Sequence, residues 1–474
     1  MKRSISLLVL SLFFTTSLQA QARSDSATVR SIYSEMLSNG KAYDWLRVLS
    51  NDIGGRLSGS PEAQQAVEYT RKAMLEAGAD TVWLQEVWVP HWVRGAKESG
   101  RIIARTGDSQ EVPVCALGGS VATPKEGISG NVVEVHDFDE LKALGREKIE
   151  GKIVFYNHPF DPTFINTFEA YGEAGKYRWS GPSEAARYGA VASIVRSMTL
   201  AQDDFPHTGA MGYNDSLPKI PCAAISTNGA NLLSNILRAD PGARFLLRMD
   251  CQLLDSVLSH NVIGEIRGRE LPDEVLVVGG HLDSWDTGDG AHDDGAGVMQ
   301  SVEILRTFKA LKLRPKRTIR AIAFMNEENG LRGGRGYAAW ASTNSREKHV
   351  MAIESDAGGF TPYGFGLDMP EDKKPSIRKY RELFRPYNVW NFEEDIKEKI
   401  NLVWQRDDAG NVSLLQVNDF IYQIVSNTSG AEYSVQELLD NWINAQKKNE
   451  EVDFSELFND LRTAQEHKIV SVKQ

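Results

Sequence analysis

Three short apolar runs, Glu274–Val278, Thr318–Met325 and Val350–Ile353, each give way within a few residues to acidic or imidazole side chains. Near-continuous apolar strands alternating with helices require a sheet covered on both faces. Between the first two runs, Gly297–Leu311 is expected to be a helix, with Val298, Val302, Leu305 and Phe308 on one face. If the three strands run parallel as neighbours, their polar tips meet at one edge. In open α/β sheets the carboxyl edge is where sites are built.

The tips carry the chemistry. Gly-Gly-His281-Leu-Asp283-Ser-Trp-Asp follows the first run, and Asp293 stands in the glycine-rich loop that opens the helix. Glu327 and Glu328 follow the second run, and Asp356 follows the third. Water-activating zinc takes His and carboxylate ligands on rigid supports, with one position left open and a base nearby. The His281–Asp283 spacing lets the carboxylate accept from the imidazole N–H not used for metal, which fixes the tautomer. Asp293 can bridge two cations through its two oxygens. Adjacent Glu327 and Glu328 point different ways, so that one binds metal while the other holds water. Taken singly these motifs are ordinary: a Glu pair at a helix start is favourable for electrostatic reasons alone. Their joint placement at strand ends is what points to a metal site. Trp285 suits either a substrate pocket or a core, and His292 reads as a surface residue rather than a ligand.

The chain of 474 residues exceeds one ordinary core, so two or more domains are expected. Its net charge of −11 argues against a nucleic-acid partner, which wants a basic surface. Lys2 and Arg3, the apolar run Ile5–Phe14 and Ala20-Gln21-Ala22 form a secretory signal cleaved after Ala22. The protein is therefore expected to be secreted or periplasmic. No later segment is long and apolar enough to span a bilayer. Cys115, Cys222 and Cys251 are too few for a disulfide framework. One bridge with a free thiol, or three buried thiols, fits equally. Pro61 is placed to start a helix that ends at Gly78, and Thr81–Val89 reads as a strand. Residues 116–254 change texture. Lys152–Tyr156, Ala190–Val195 and Ile220–Ile225 read as buried strands, Ser183–Tyr188 as a short helix, and Pro159–Pro182 as a polar, glycine- and aromatic-rich stretch. The pattern suggests a small β-rich insertion. His136, His158 and His207, and His260 just beyond, are scattered without ligand spacing.

The ordered set from His281 and Asp283 through Asp293 and Glu327-Glu328 to Ser-Asp356-Ala-Gly resembles the M28 family of di-zinc exopeptidases. The early segments Gly-Gly-Arg-Leu-Ser-Gly-Ser and Val-Pro-His-Trp-Val-Arg-Gly resemble its carboxypeptidase Q-like group. The likeness covers residues 30–360. It implies a phosphorylase/hydrolase-like three-layer α/β/α catalytic domain, residues 23–115 and 255–390, interrupted by a β-rich protease-associated (PA)-like insertion at 116–254. It implies His281, Asp293, Glu328 and Asp356 as ligands of two zinc ions, Asp293 bridging them. Glu327 is then the general base, and Asp283 orients His281. Short peptides cleaved at a terminus are the implied substrates, and a homodimer is one assembly the sequence permits.

The sequence departs from the family pattern at its end. The family closes with a histidine ligand on a late loop, whereas the one histidine after Asp356 is His467, in the polar stretch Ala-Gln-Glu-His-Lys. Residues 391–474 match nothing in the family and read as acidic, helix-like segments. Two readings are open. The first is an exported zinc exopeptidase. The alternative is a non-catalytic peptide-binding protein on the same fold.

Overall fold

A computed structural model describes residues 25–164, 167–356, 358–392, 405–406 and 412–413. The expected signal segment, the helix-like stretches beyond residue 392 and His467 lie outside the described residues. The chain divides into two units, Met1–Pro159 with Ala174–Glu394, and Phe160–Glu173 with Asp395–Gln474. In the second unit, Gln405–Arg406 pairs antiparallel with Val412–Ser413.

The first unit opens with helices α1 (25–39) and α2 (Ala42–Arg47), then α3 (Pro61–Glu76), which starts at Pro61 with the Ser60 hydroxyl accepting from the Ala63 N–H at 3.0 Å. Strand β1 (Thr81–Val93) leads into a second sheet, made of β2 (Ser99–Ile103), β3 (Ser109–Val112), β4 (Val114–Ala116), β5 (Ile128–Val135), β6 (Ile153–Tyr156), β7 (Ala192–Arg196), β8 (Cys222–Ile225) and β9 (Arg244–Arg248). Its helices are α4 (Phe138–Ile149), α5 (Thr167–Trp179), α6 (Gly181–Arg187) and α7 (Thr227–Ala239). The chain then returns through β10 (Gln252–Ile266), β11 (Leu271–His281), α8 (Ala296–Ala310), β12 (Arg317–Phe324), α9 (Arg332–Thr343) and β13 (Lys348–Glu354).

The first sheet has the order β1-β10-β12-β11-β13. β11 runs parallel to both its neighbours, β12 and β13, so the three tips do lie side by side: His281 pairs with Phe324, and Gly279 with Glu354. Alternation along the strands builds two cores. Leu276, Val278, Ile319, Ala321 and Ala323 face Met74 of α3 and Val298, Val302 and Leu305 of α8. Val275, Val277 and Ile322 face Tyr337 and Trp340 of α9. At β13, Val350, Met351 and Ile353 are exposed among the described residues.

The inserted region is more than a small β-rich module. Its eight strands run β3-β2-β9-β5-β6-β7-β8-β4, and β5 to β8 are parallel. Leu233 and Leu237 of α7 cover one face, while Leu141, Ala185 and Tyr177 of α4, α6 and α5 cover the other. The sheet takes in β2 and β3, which lie ahead of the expected boundary at 116. The stretch Pro159–Pro182, read as polar and rich in glycine and aromatic residues, contains α5. All three cysteines are buried free thiols. Among the described residues no helix is long and apolar enough to cross a membrane.

Helix α8 lies so close behind the sheet edge that a Cβ on Gly297 would overlap the main-chain oxygen of Ser355 and the Asp294 carboxylate. Backbone cannot swing aside as a side chain can. Gly297→Ala is therefore expected to cost about 1–3 kcal/mol in denaturant unfolding. A change within ~0.5 kcal/mol, the range of neutral surface substitutions, would contradict this packing.

Candidate metal centre

His281 ends the central strand with its ring 1% exposed. Its Nδ1–H donates to the main-chain oxygen of Asp283 at 2.9 Å, because a carbonyl can only accept. That leaves Nε2 as the free ligand atom, 2.9 Å from Asp293 Oδ1 and 3.5 Å from Asp356 Oδ1. The three side chains offer one nitrogen and two carboxylate oxygens, all within 4.8 Å of one another. This is the donor set of a divalent cation site of the His–carboxylate kind. Among the described residues it is the only such group.

The orienting atom differs from the one expected. The Asp283 carboxylate does not reach His281; the main-chain oxygen of the same residue does, since a strand leaving its sheet turns that carbonyl back onto the ring. The buried Asp283 carboxylate instead accepts the Glu327 N–H through Oδ1 at 2.9 Å, while Oδ2 has no hydrogen-bond partner among the described residues. It thus ties the first strand tip to the second. Burial raises its pKa.

Asp294, beside Asp293 across a cis peptide bond, is not singled out by the sequence pattern. Its buried carboxylate accepts the His281 N–H and the Gly297 N–H, each at 2.9 Å. The second is the contact an aspartate makes when it caps a helix start. An Asp just before the first apolar turn of α8 was the available signal. Adjacent carboxylates are thereby split, Asp294 to the backbone and Asp293 to the site.

Glu327 and Glu328 follow β12 on the neighbouring tip, half-buried, and Glu328 stands outside the 4.8 Å group. Burial first, then Asp293 and Asp283, push the Glu328 carboxyl up to about 9. Burial, with Asp283, Asp356 and Asp293, also raises Glu327. Asp294 is pushed up to about 8, chiefly by burial. Burial opposes a charge on His281, yet bonding to Asp293 and Asp356 outweighs it and holds the imidazole proton up to about 12. The common cause is negative charge packed too densely for its surroundings, which a bound dication relieves. With the Nε2 geometry and the orphaned Asp283 Oδ2, the residues fit a metal.

Two side chains take quieter places. His292 is not in the metal group; its Nδ1 accepts the Gly359 N–H at 3.3 Å, and its ring meets Phe360, so it props the loop after Asp356. Trp285 packs against the core of the second sheet, over Gly118. Beside it Arg94 grips Asp286 at 2.7 and 2.8 Å, the paired geometry of a guanidinium on a carboxylate.

An α/β sheet with such a cluster at its carboxyl edge is the frame of a metal-dependent enzyme. Residues 261–411 match peptidase family M28, so the family likeness runs past residue 391, where it was expected to end. Carboxypeptidase Q of Xenopus laevis is 37% identical over 354 residues, 74% of this chain and 72% of its own length. The Homo sapiens protein of that name is 36% identical over the same shares. The crystal structure of a peptidase M28 precursor from Shewanella amazonensis superposes with a TM-score of 0.73 at 31% identity, covering 77% of this chain and 82% of that one. The chain belongs to peptidase family M28. A zinc aminopeptidase from Bacillus subtilis shares the fold at 19% identity, with a TM-score of 0.54 over 74% of this chain and 78% of its own.

Asp294→Ala leaves two buried N–H groups, those of His281 and Gly297, without acceptors. The expected loss is about 1–3 kcal/mol of unfolding free energy, the penalty of a buried unsatisfied donor. An unfolding midpoint equal to wild type would remove Asp294 from its place under the site.

Proposed function

We propose that the protein is an exported zinc-dependent exopeptidase that hydrolyses terminal peptide bonds of short peptides or dipeptides. The approach of His281, Asp293 and Asp356 to one point, with Glu327 on the adjoining tip, carries this reading. The names of the similar proteins support it: carboxypeptidase Q for the terminal bond, and a zinc aminopeptidase for the metal. In this reading His281, Asp293 and Asp356 hold one zinc, and Asp293 with Glu328 contributes to a second. Bound zinc supplies Lewis-acid chemistry, polarising the scissile carbonyl and acidifying water. Glu327 accepts a proton from the attacking water as the water oxygen bonds to the carbonyl carbon. The C–N bond then breaks, and Glu327 returns the proton to the departing amine. Asp283 holds the Glu327 backbone and, through its own carbonyl, the His281 ring. The inserted sheet is the PA-like domain, and the signal segment directs the chain out of the cytoplasm. Homodimer assembly belongs to the same proposal.

Three variants test it. Glu327→Gln is expected to lower turnover of a dipeptide by ~10²-fold or more, as loss of a general base does, with bound zinc unchanged. His281→Ala is expected to lose zinc. Zinc content equal to wild type in that variant would sink the site. Among the described residues the second zinc has fewer protein ligands than the three usual in catalytic sites, so one tightly held zinc per chain is expected after dialysis. Two in wild type and one in His467→Ala would instead show that the tail supplies the missing ligand.

A further inference from the structure

The loop Gly54–Ser60, more than two hundred residues ahead of the metal ligands, is in contact with both tips that carry them. We infer that it is the positioning element of the metal centre, with Arg56 setting the loop that joins His281 to Asp293 and Ser58 setting the turn that carries Glu327. The inference rests on the metal-centre reading above.

Arg56 is 0% exposed. Burying a cation is costly unless every donor is met. Its guanidinium is met by main-chain oxygens: Nε donates to Leu282 at 2.6 Å, one Nη to Gly54 at 3.4 Å and Asp289 at 3.2 Å, the other to Gly290 at 2.8 Å. Leu282 directly follows His281, and Gly290 stands three residues before Asp293. One rigid fork therefore spans both ends of the 282–290 loop. The Arg56 N–H also donates to Ser284 Oγ at 3.2 Å. Main chain meets main chain alongside it: a Cβ on Gly55 would stand 2.9 Å from the Gly288 oxygen and 3.0 Å from the Asp286 Cα. A Cβ on Gly290, at φ +57°, would overlap the guanidinium.

Ser58, 1% exposed, donates to Asn329 Oδ1 at 2.8 Å and accepts from Asn326 Nδ2 at 2.7 Å. These two asparagines flank Glu327 and Glu328. Asn326 has φ +70°, a turn that needs its side chain held. The same loop thus fixes the base-bearing turn from below.

Arg56 also lies among Asp283, Asp294, Glu328 and Asp293, so a rival role is that of a counter-charge alone. The two roles predict opposite signs. A buried cation beside a dication repels it, so if charge alone matters, Arg56→Gln binds zinc as well as wild type or better. If positioning matters, Arg56→Gln and Arg56→Lys both bind zinc ~10- to 100-fold more weakly, in the range of losses seen when the partners of ligands are removed. Lys keeps the charge but cannot span four carbonyls with a fork.

The experiment titrates zinc into metal-free full-length protein and records the visible spectrum of the cobalt-loaded forms. The positioning role predicts weaker binding and an altered cobalt spectrum in both Arg56 variants, with cooperative unfolding retained. Equal or tighter binding in Arg56→Gln overturns it. Ser58→Ala gives an independent arm that decides if the Arg56 variants do not fold. It is expected to keep zinc affinity while lowering kcat ~10-fold at unchanged KM, in keeping with a lost positioning contact, and an unchanged kcat overturns the inference. Wild type that binds no zinc, or His281→Ala that binds it fully, marks instead the failure of the metal-centre reading.

Discussion

The Asp294 carboxylate joins the end of the central strand to the start of the helix behind it, and the site is laid out from that joint. One oxygen takes the His281 N–H and the other the Gly297 N–H. The contact is buried, so water cannot substitute for it. It fixes where β11 stops and where α8 begins, and hence the span that the loop between them must cross. Asp293 then has little choice but to face His281 Nε2. Parallel β12 and β13 bring Glu327, Glu328 and Asp356 to the same edge with no further device.

The electrostatics derive from that geometry. Carboxylates crowded within and beside one half-buried edge raise the protonation tendencies of Glu328, Glu327 and Asp294 and hold a proton on His281. Burial is the first cause of the three carboxyl shifts, which positive charge relieves, whereas on His281 burial opposes the shift and the neighbouring carboxylates cause it. Among the described residues, Arg56 is the buried cation that the fold itself supplies there. It is spent on carbonyls rather than on a carboxylate ion pair, which leaves Asp293 and Asp356 free for a ligand.

The parallel arrangement of β11, β12 and β13 was legible because apolar runs ended by polar motifs leave few other placements. That His281, Asp293 and Asp356 come together was legible for the same reason. Spacing alone did not tell which oxygen of residue 283 meets His281, since side-chain and main-chain acceptors two residues on are equally near in sequence. Arg56 was visible only as part of the Gly-Gly-Arg-Leu-Ser-Gly-Ser segment. Its partners are main-chain oxygens, and these leave no mark in residue type. Helix α5 was missed because the glycines and aromatics between Pro159 and Pro182 mask a helical repeat that tertiary packing of Tyr177 rescues. Strand β10 was missed because its first half pairs only with β1 and mixes polar and apolar residues without a covered face.

The β1–β10 ribbon has a topological consequence. Val93 pairs with Gln252, so the inserted region leaves and rejoins the first sheet through adjacent positions on one ladder. To the catalytic sheet, some hundred and fifty residues count as little more than a hairpin turn, since closure entropy grows only with the logarithm of loop length. Such an insert is free to grow, shrink or drift in sequence without disturbing the sheet that carries it. Trp285 lying over Gly118, Arg94 holding Asp286, and Leu57 and Trp92 packed in the core of the inserted sheet tie it to the first sheet. Along this seam the two modules must evolve together, because the loop they share is the one that runs from His281 to Asp293.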